Sequence, residues 1–210
     1  MTPPLLPTAY LPPISYFALL TGEEQVVIEQ WETFPKQTLR NRTTILTSNG
    51  PLTLSVPAVR TNGNHTMTHD VGISYAEKWN IRHWRAIESA YNSSPYFLYY
   101  KDGLEKIILT PQESILQLNS LLLDYLLKKI KLNVQVSHSM DYTPAGTISN
   151  DYRETFSEKR RSPSPTLPSY EQVFSAKMPF VPDLSIIDLL FNLGPDTKNY
   201  LQHVSRETLL

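Results

Sequence analysis

Val26-Val27-Ile28-Glu29-Gln30 is short, β-branched and unbroken in its apolar part. Such a run is expected of a strand buried on both faces, as in α/β proteins, rather than of a half-exposed strand with alternating polarity. Glu29 closes the run and so falls at the strand's carboxyl end, where open α/β sheets bind ligands. Upstream, residues 14–21 read as a short helix stopped by Gly22. Downstream, residues 43–48 and 52–56 flank Asn49-Gly50, the strongest short hairpin signal. Leu52, Leu54 and Val56 alternate with Thr53 and Ser55, giving that strand one buried face. Residues 71–75 read as a further short strand, and residues 133–137 alternate like a strand returning to the sheet.

The densest aromatic stretch is residues 79–103, with two of the three tryptophans and four of the twelve tyrosines. Trp84, Ile87 and Tyr91 recur at helical spacing, and Asn92-Ser93-Ser94-Pro95 ends that helix, because Pro95 lacks an N–H and pushes Ser94 out of the helical region. Lys101-Asp102-Gly103 reads as a turn. Residues 111–130 form the longest predicted helix, with Lys128, Lys129 and Lys131 suited to its negative end. Residues 140–169 are polar, carry Lys159-Arg160-Arg161 and end in a Ser/Pro run, which predicts an extended arm or mobile loop, with the basic triplet solvated. Residues 170–174 read as strand-like. Ser185 starts the last clear helix, with Asp188 as its capping-box partner and Gly194-Pro195 as its stop. The expectation is a single α/β domain over residues 1–210: a mixed sheet with flanking helices and a long polar loop.

With 210 residues, 40% hydrophobic and 19% charged, the chain can build a substantial core. A formal net charge of −1 provides no global field for nucleic acid, and the absence of cysteine excludes disulfides and thiolate chemistry. The first 20 residues hold five prolines and no Lys or Arg, unlike a signal peptide, and no apolar run reaches the roughly 18 residues of a membrane span. A cytoplasmic location is expected. His65 and His69 are four apart, but Gly63 and the surrounding Asn and Thr argue against the helix that would make them metal ligands. No phosphate-cradling loop, dinucleotide motif or nucleophile elbow is present, and no cofactor is expected.

The candidate chemistry falls in two places. Lys36, Arg40 and Arg42 form a cationic cluster after the buried strand; guanidinium forks suit phosphate, and Asn41 adds a polar contact. The alternative is that these arginines pair with Glu29 and Glu32 as buried structural ions. Glu29 and Glu32 suit a general base and an orienting carboxylate, and His83 is a second candidate base. Around the central helix, Tyr91, Asn92 and Ser94 either satisfy the backbone of the turn or line a sugar-sized pocket walled by Trp84, Tyr96 and Tyr100. Lys101 would be a second phosphate ligand. The cations and the aromatic wall are expected to meet in one pocket at the sheet's edge.

Three blocks resemble the WbqC-like protein family, in the version common in Bacteroidetes. The first runs from Glu29 through Glu32, Lys36-Gln37-Thr38 and Arg40-Asn41-Arg42. His83-Trp84 through Tyr96-Phe97 and Tyr99-Tyr100-Lys101-Asp102 form the second. The third joins Tyr170, Gln172-Val173-Phe174 and residues 184–195. Tyr10-Leu11-Pro12 stands where relatives have a longer Gln-Pro-x-Tyr-Leu-Pro motif, and a Gly-rich segment of the longer relatives is lacking. The resemblance implies a role among surface-polysaccharide (O-antigen) biosynthesis proteins. It implies transfer chemistry on a sugar or nucleotide-sugar, and leaves a homo-oligomer open. A non-catalytic glycan- or protein-binding module, using the Tyr- and Trp-rich surface, is the other reading.

Overall fold

The computed structural model describes residues 2–156 and 167–204. In chain order the elements are β1 (Leu5–Pro7), α1 (Ile14–Leu20), β2 (Gln25–Glu29), β3 (Arg42–Thr47), β4 (Gly50–Ser55), β5 (Ala58–Val59) and β6 (Gly72–Ile73). There follow α2 (Trp79–Tyr91), α3 (Phe97–Leu109), α4 (Ile115–Ile130), β7 (Gln135–His138), α5 (Ile186–Leu193) and α6 (Thr197–His203). The fold is α/β. β2 is the middle strand of a parallel sheet ordered β1-β2-β7, with Val26 opposite Val136 and Ile28 opposite His138. Val26 and Ile28 are buried, as a β-branched run inside a parallel sheet requires. The antiparallel pairing is separate: β3 and β4 form the hairpin around Asn49-Gly50, and β5 pairs with β6.

Helix α4 packs the stripe of Ile115, Leu118, Leu122 and Leu126 into the core. Ser114 caps its start by accepting from the Gln117 N–H at 3.1 Å, and Lys131 ends it in the left-handed region at φ 62°. Helix α3 crosses α4 at Gly103. A Cβ there would lie 2.2 Å from Tyr125 Cε2, so only glycine permits this approach. The Tyr125 hydroxyl donates to the Tyr100 carbonyl at 2.7 Å across the same contact.

Several expectations are corrected. Lys101-Asp102-Gly103 is helical, because Gly103 is required for packing and not for a turn. Residues 170–174 pair with no strand; instead the Gln172 side chain accepts from the Val181 N–H at 3.0 Å and donates to its carbonyl at 2.9 Å. Ser185 precedes α5 but makes no side-chain cap: its hydroxyl donates to the Leu11 carbonyl at 3.0 Å, while Asp188 points into the core. α6 follows the helix predicted to be last. Leu52 is exposed, so only Leu54 and Val56 of its alternating set are buried.

Within the polar segment, residues 150–152 run beside β1. The Leu5 N–H donates to the Asn150 carbonyl and the Tyr152 N–H to the Leu5 carbonyl, both at 2.9 Å. Arg153 and Phe156 are buried, so residues 150–156 pack beside β1, whereas most of residues 140–149 are exposed. The Lys159-Arg160-Arg161 triplet lies outside the described residues. No helix among the described residues is long and apolar enough to cross a membrane.

Candidate functional site at the carboxyl end of the parallel sheet

The carboxyl end of β2 carries a buried network of ionisable groups. Glu29 is fully buried. Its Oε1 accepts from the Trp31 N–H and the Ser139 hydroxyl, both at 2.8 Å. Its Oε2 accepts from the Thr143 N–H at 3.2 Å and lies 3.6 Å from Arg153 Nη1. Arg153 in turn grips Asp151 through Nε and Nη2, at 2.9 Å and 2.6 Å. Those bonds lower the Asp151 pKa and raise that of Arg153. Glu29 thus stitches the strand end to the segments that follow β2 and β7.

Glu32 is placed differently. Arg40 donates to its Oε1 from Nε at 2.8 Å and also from Nη2, and the Glu32 side chain retains 13% exposure. Burial raises the Glu32 pKa above the ordinary carboxylate range, and the attraction of Arg40 only partly offsets this. Half-buried Trp31 covers the same strand end, tilted 57° against His69 at 4.4 Å between ring centroids, with its Nε1 donating to the Ser139 carbonyl at 3.0 Å. The group holds three carboxylates and two guanidiniums.

His83 lies elsewhere, among aromatic rings. Its Nδ1 is 3.0 Å from the Tyr10 hydroxyl, and its ring meets Trp79 edge-on at 4.9 Å. Burial, then the charge of Arg82, pulls its pKa down to about 4. Trp84 stacks on Phe97 within the core. The Tyr91 hydroxyl is also internal, accepting from the Leu46 N–H and donating to Asp188.

The remaining predicted residues are dispersed. Lys36 and Asn92 are exposed, and Tyr100 and Lys101 lie half-buried on α3. Ser94 is buried, with no hydrogen-bond partner for its hydroxyl. Asn41 donates to the Val56 carbonyl at 2.8 Å, and its Oδ1 is buried without a partner. Arg42 lines a separate pocket of about 270 Å³ together with Thr53 and Asp183. Glu29–Arg153 and Glu32–Arg40 are therefore two neighbouring ion pairs coupled through space, while Arg42 opens onto another pocket and His83, Trp84 and Tyr91 sit in the core.

Sequence reasoning missed Arg153, Asp151 and Ser139, which lie in or beside a segment read as polar and mobile. It also missed Asn119, although a signal existed: Asn119 interrupts the apolar stripe of α4 at a position that faces inward. In the fold Asn119 is buried, and its Nδ2 donates to the Arg40 carbonyl at 2.8 Å and Thr8 Oγ1 at 3.0 Å.

The fold is thus that of an α/β protein with buried carboxylate–guanidinium pairs at the carboxyl end of a parallel strand, the place where open α/β sheets bind ligands. The WbqC-like protein family matches residues 8–158 and 153–200, and the chain belongs to that family. It is also similar to Uncharacterized protein Rv1507c of Mycobacterium tuberculosis (strain ATCC 25618 / H37Rv). The two are 28% identical over 220 residues, covering 92% of this chain and 94% of the relative. No solved structure matches.

Proposed function

We propose that the protein is a cytoplasmic transferase acting on a sugar or nucleotide-sugar in surface-polysaccharide biosynthesis, with its chemistry at the carboxyl end of β2. The observation that supports this most is the node of Glu29, Glu32, Arg40 and Arg153 at the strand end where open α/β sheets hold ligands. Glu29 has both oxygens engaged and orients the surrounding loops. Glu32 keeps an opening to solvent and a raised proton affinity, which suits a base taking the proton from an acceptor hydroxyl or amine. The role first assigned to Glu29 or His83 passes to Glu32 in this reading, since His83 is enclosed by Tyr10 and Trp79. Lys36, exposed on the same loop, supplies charge for a phosphorylated donor.

A screen of nucleotide-sugars by thermal shift tests the reading, because a ligand bound only by the folded state raises its melting temperature. The expected result is a rise with at least one nucleotide-sugar, and loss of turnover but not of the fold in Glu32→Gln. A second reading, a non-catalytic module for a glycan or protein partner, is favoured by Leu98 and Tyr99, 71% and 75% exposed on α3. No shift with any phosphorylated compound would select it.

A further inference from the structure

Residues 140–149 cross the parallel sheet from one edge to the other. Ser139 continues β7, and its N–H donates to the Ile28 carbonyl at 2.9 Å. Asn150, Asp151 and Tyr152 run beside Leu5 on the far edge, beyond β1. Neighbouring strands lie about 4.8 Å apart, so the crossing covers roughly 14 Å, whereas ten extended residues reach about 33 Å. The stretch therefore has slack. Eight of its ten residues are exposed, and it turns on itself, with the Thr147 hydroxyl donating to the Pro144 carbonyl at 2.7 Å. Among the described residues, its one hydrogen bond to the rest of the chain runs from the Thr143 N–H to Glu29 Oε2, at 3.2 Å. The neighbouring Tyr142 ring lies 5.9 Å from the guanidinium carbon of Arg153. Tyr142 and Thr143 thus lie over Glu29 and Arg153, which are 0% and 6% exposed.

We propose that residues 140–149 are a strap closing the carboxyl end of β2, with Glu29 Oε2 as its latch, and that lifting it opens the Glu29–Arg153 pair to a ligand. Both feet stay fixed during the motion. Gln30 and Trp31 donate to the Ser139 carbonyl, and Leu5 holds Asn150 and Tyr152 through its backbone. A segment with so few ties opens at far lower cost than the whole fold, so the strap lifts while the sheet remains intact. Arg153 is still gripped by Asp151, so an anionic group on the ligand meets a cation already in position. Closure of the strap over that ligand then excludes water from the site. The proposal rests on the transferase reading only in treating this as the gate of that site; the motion itself is measured with no ligand present.

Native-state hydrogen exchange at increasing urea tests the motion on the parent chain. The Thr143 amide should exchange at least tenfold more slowly than in a free peptide, yet at least a hundredfold faster than the Val27 amide of β2, and with almost no urea dependence. Glu29→Gln, which weakens the acceptor, should speed Thr143 exchange at least tenfold. Thr143→Pro removes the latched N–H from an exposed stretch and leaves Glu29 in place. In that variant phenylglyoxal should label Arg153, read by peptide mass, at least tenfold faster than in the parent, with the urea midpoint unchanged. Thr143 exchange that requires global unfolding, a Thr143 amide with no protection, or Arg153 labelling unchanged in Thr143→Pro would each overturn the proposal. A strap that behaves as expected in a chain that no nucleotide-sugar stabilises would sink the transferase reading alone.

Discussion

The Asp188 carboxylate accepts a hydrogen bond from the Tyr91 hydroxyl at 2.8 Å, joining α5 to α2 through the core. The same hydroxyl accepts from the Leu46 N–H at 3.1 Å, and the other Asp188 oxygen accepts from Tyr170 and from Gln172. Four segments therefore meet at one buried acid. Tyr91→Phe keeps the ring but leaves both the Leu46 N–H and an Asp188 oxygen short of a partner. It should cost about 2–4 kcal/mol of unfolding free energy, measured by urea titration.

His83 sets an acid limit on the fold. Its folded pKa, about 4, lies below the ordinary histidine value of about 6.5, so between these values the unfolded chain binds more protons. Its contribution is complete above about pH 6.5 and is lost as pH falls to about 4. The integrated loss is about 3 kcal/mol. Urea titrations at intervals from pH 7.5 to pH 4 should show this slope in the parent chain and a shallower one in His83→Gln.

Glu32 acts with the opposite sign. Its folded pKa is raised, so above the ordinary carboxylate value the folded chain holds a proton that the unfolded chain has released. Stability from this group is present below that value and declines as pH rises through the folded pKa. In Glu32→Gln the decline should vanish, and the variant should gain stability relative to the parent as pH increases through that window. An unchanged difference across the pH range would mean that burial does not govern this group.

Arg40→Ala leaves Glu32 largely buried without its cation. Removal of one partner from a buried pair typically costs about 3–5 kcal/mol. Arg40 is 2% exposed and its backbone carbonyl is held by Asn119, so little relaxation is available. A loss near that range is the expected result by chemical denaturation, whether or not ligand binding also falls.

Gly103→Ala should be destabilising despite alanine's advantage in helices of about 1 kcal/mol. The added carbon would overlap the Tyr125 ring, whose hydroxyl is anchored on the Tyr100 carbonyl. Overpacking of this kind costs about 1–3 kcal/mol. The double variant Gly103→Ala/Tyr125→Leu should recover much of the difference, since the smaller side chain makes room.

Local chemistry alone was enough to determine the central strand, the Asn49-Gly50 hairpin, α4 and the stop at Gly194. The strand, the hairpin and α4 depend on neighbours within a few residues: β-branching, a turn dipeptide, helical spacing. Gly194 is locally marked by φ 53° but also lies against the Tyr96 ring, where a Cβ would come within 2.4 Å. The three blocks around Glu29, His83 and Tyr170 were also sufficient to place the chain in its family. What those blocks do in space was not legible. Asp188 looked like a local cap, yet its side chain serves Tyr91, 97 residues away. Gly103 looked like a turn because the ring that demands it belongs to another helix.

The site divides along the same line. Sequence alone gathered Glu29, Glu32 and Arg40, because strand end and loop are contiguous in the chain. Only the tertiary structure brought Arg153 and Ser139 to Glu29, separated His83 from that node and turned Asn119 toward the sheet. The physical reason is that a buried charge or amide must find its partner wherever the packed chain supplies one. Sequence spacing records a residue's own helix or strand, but not the segment that folds against it.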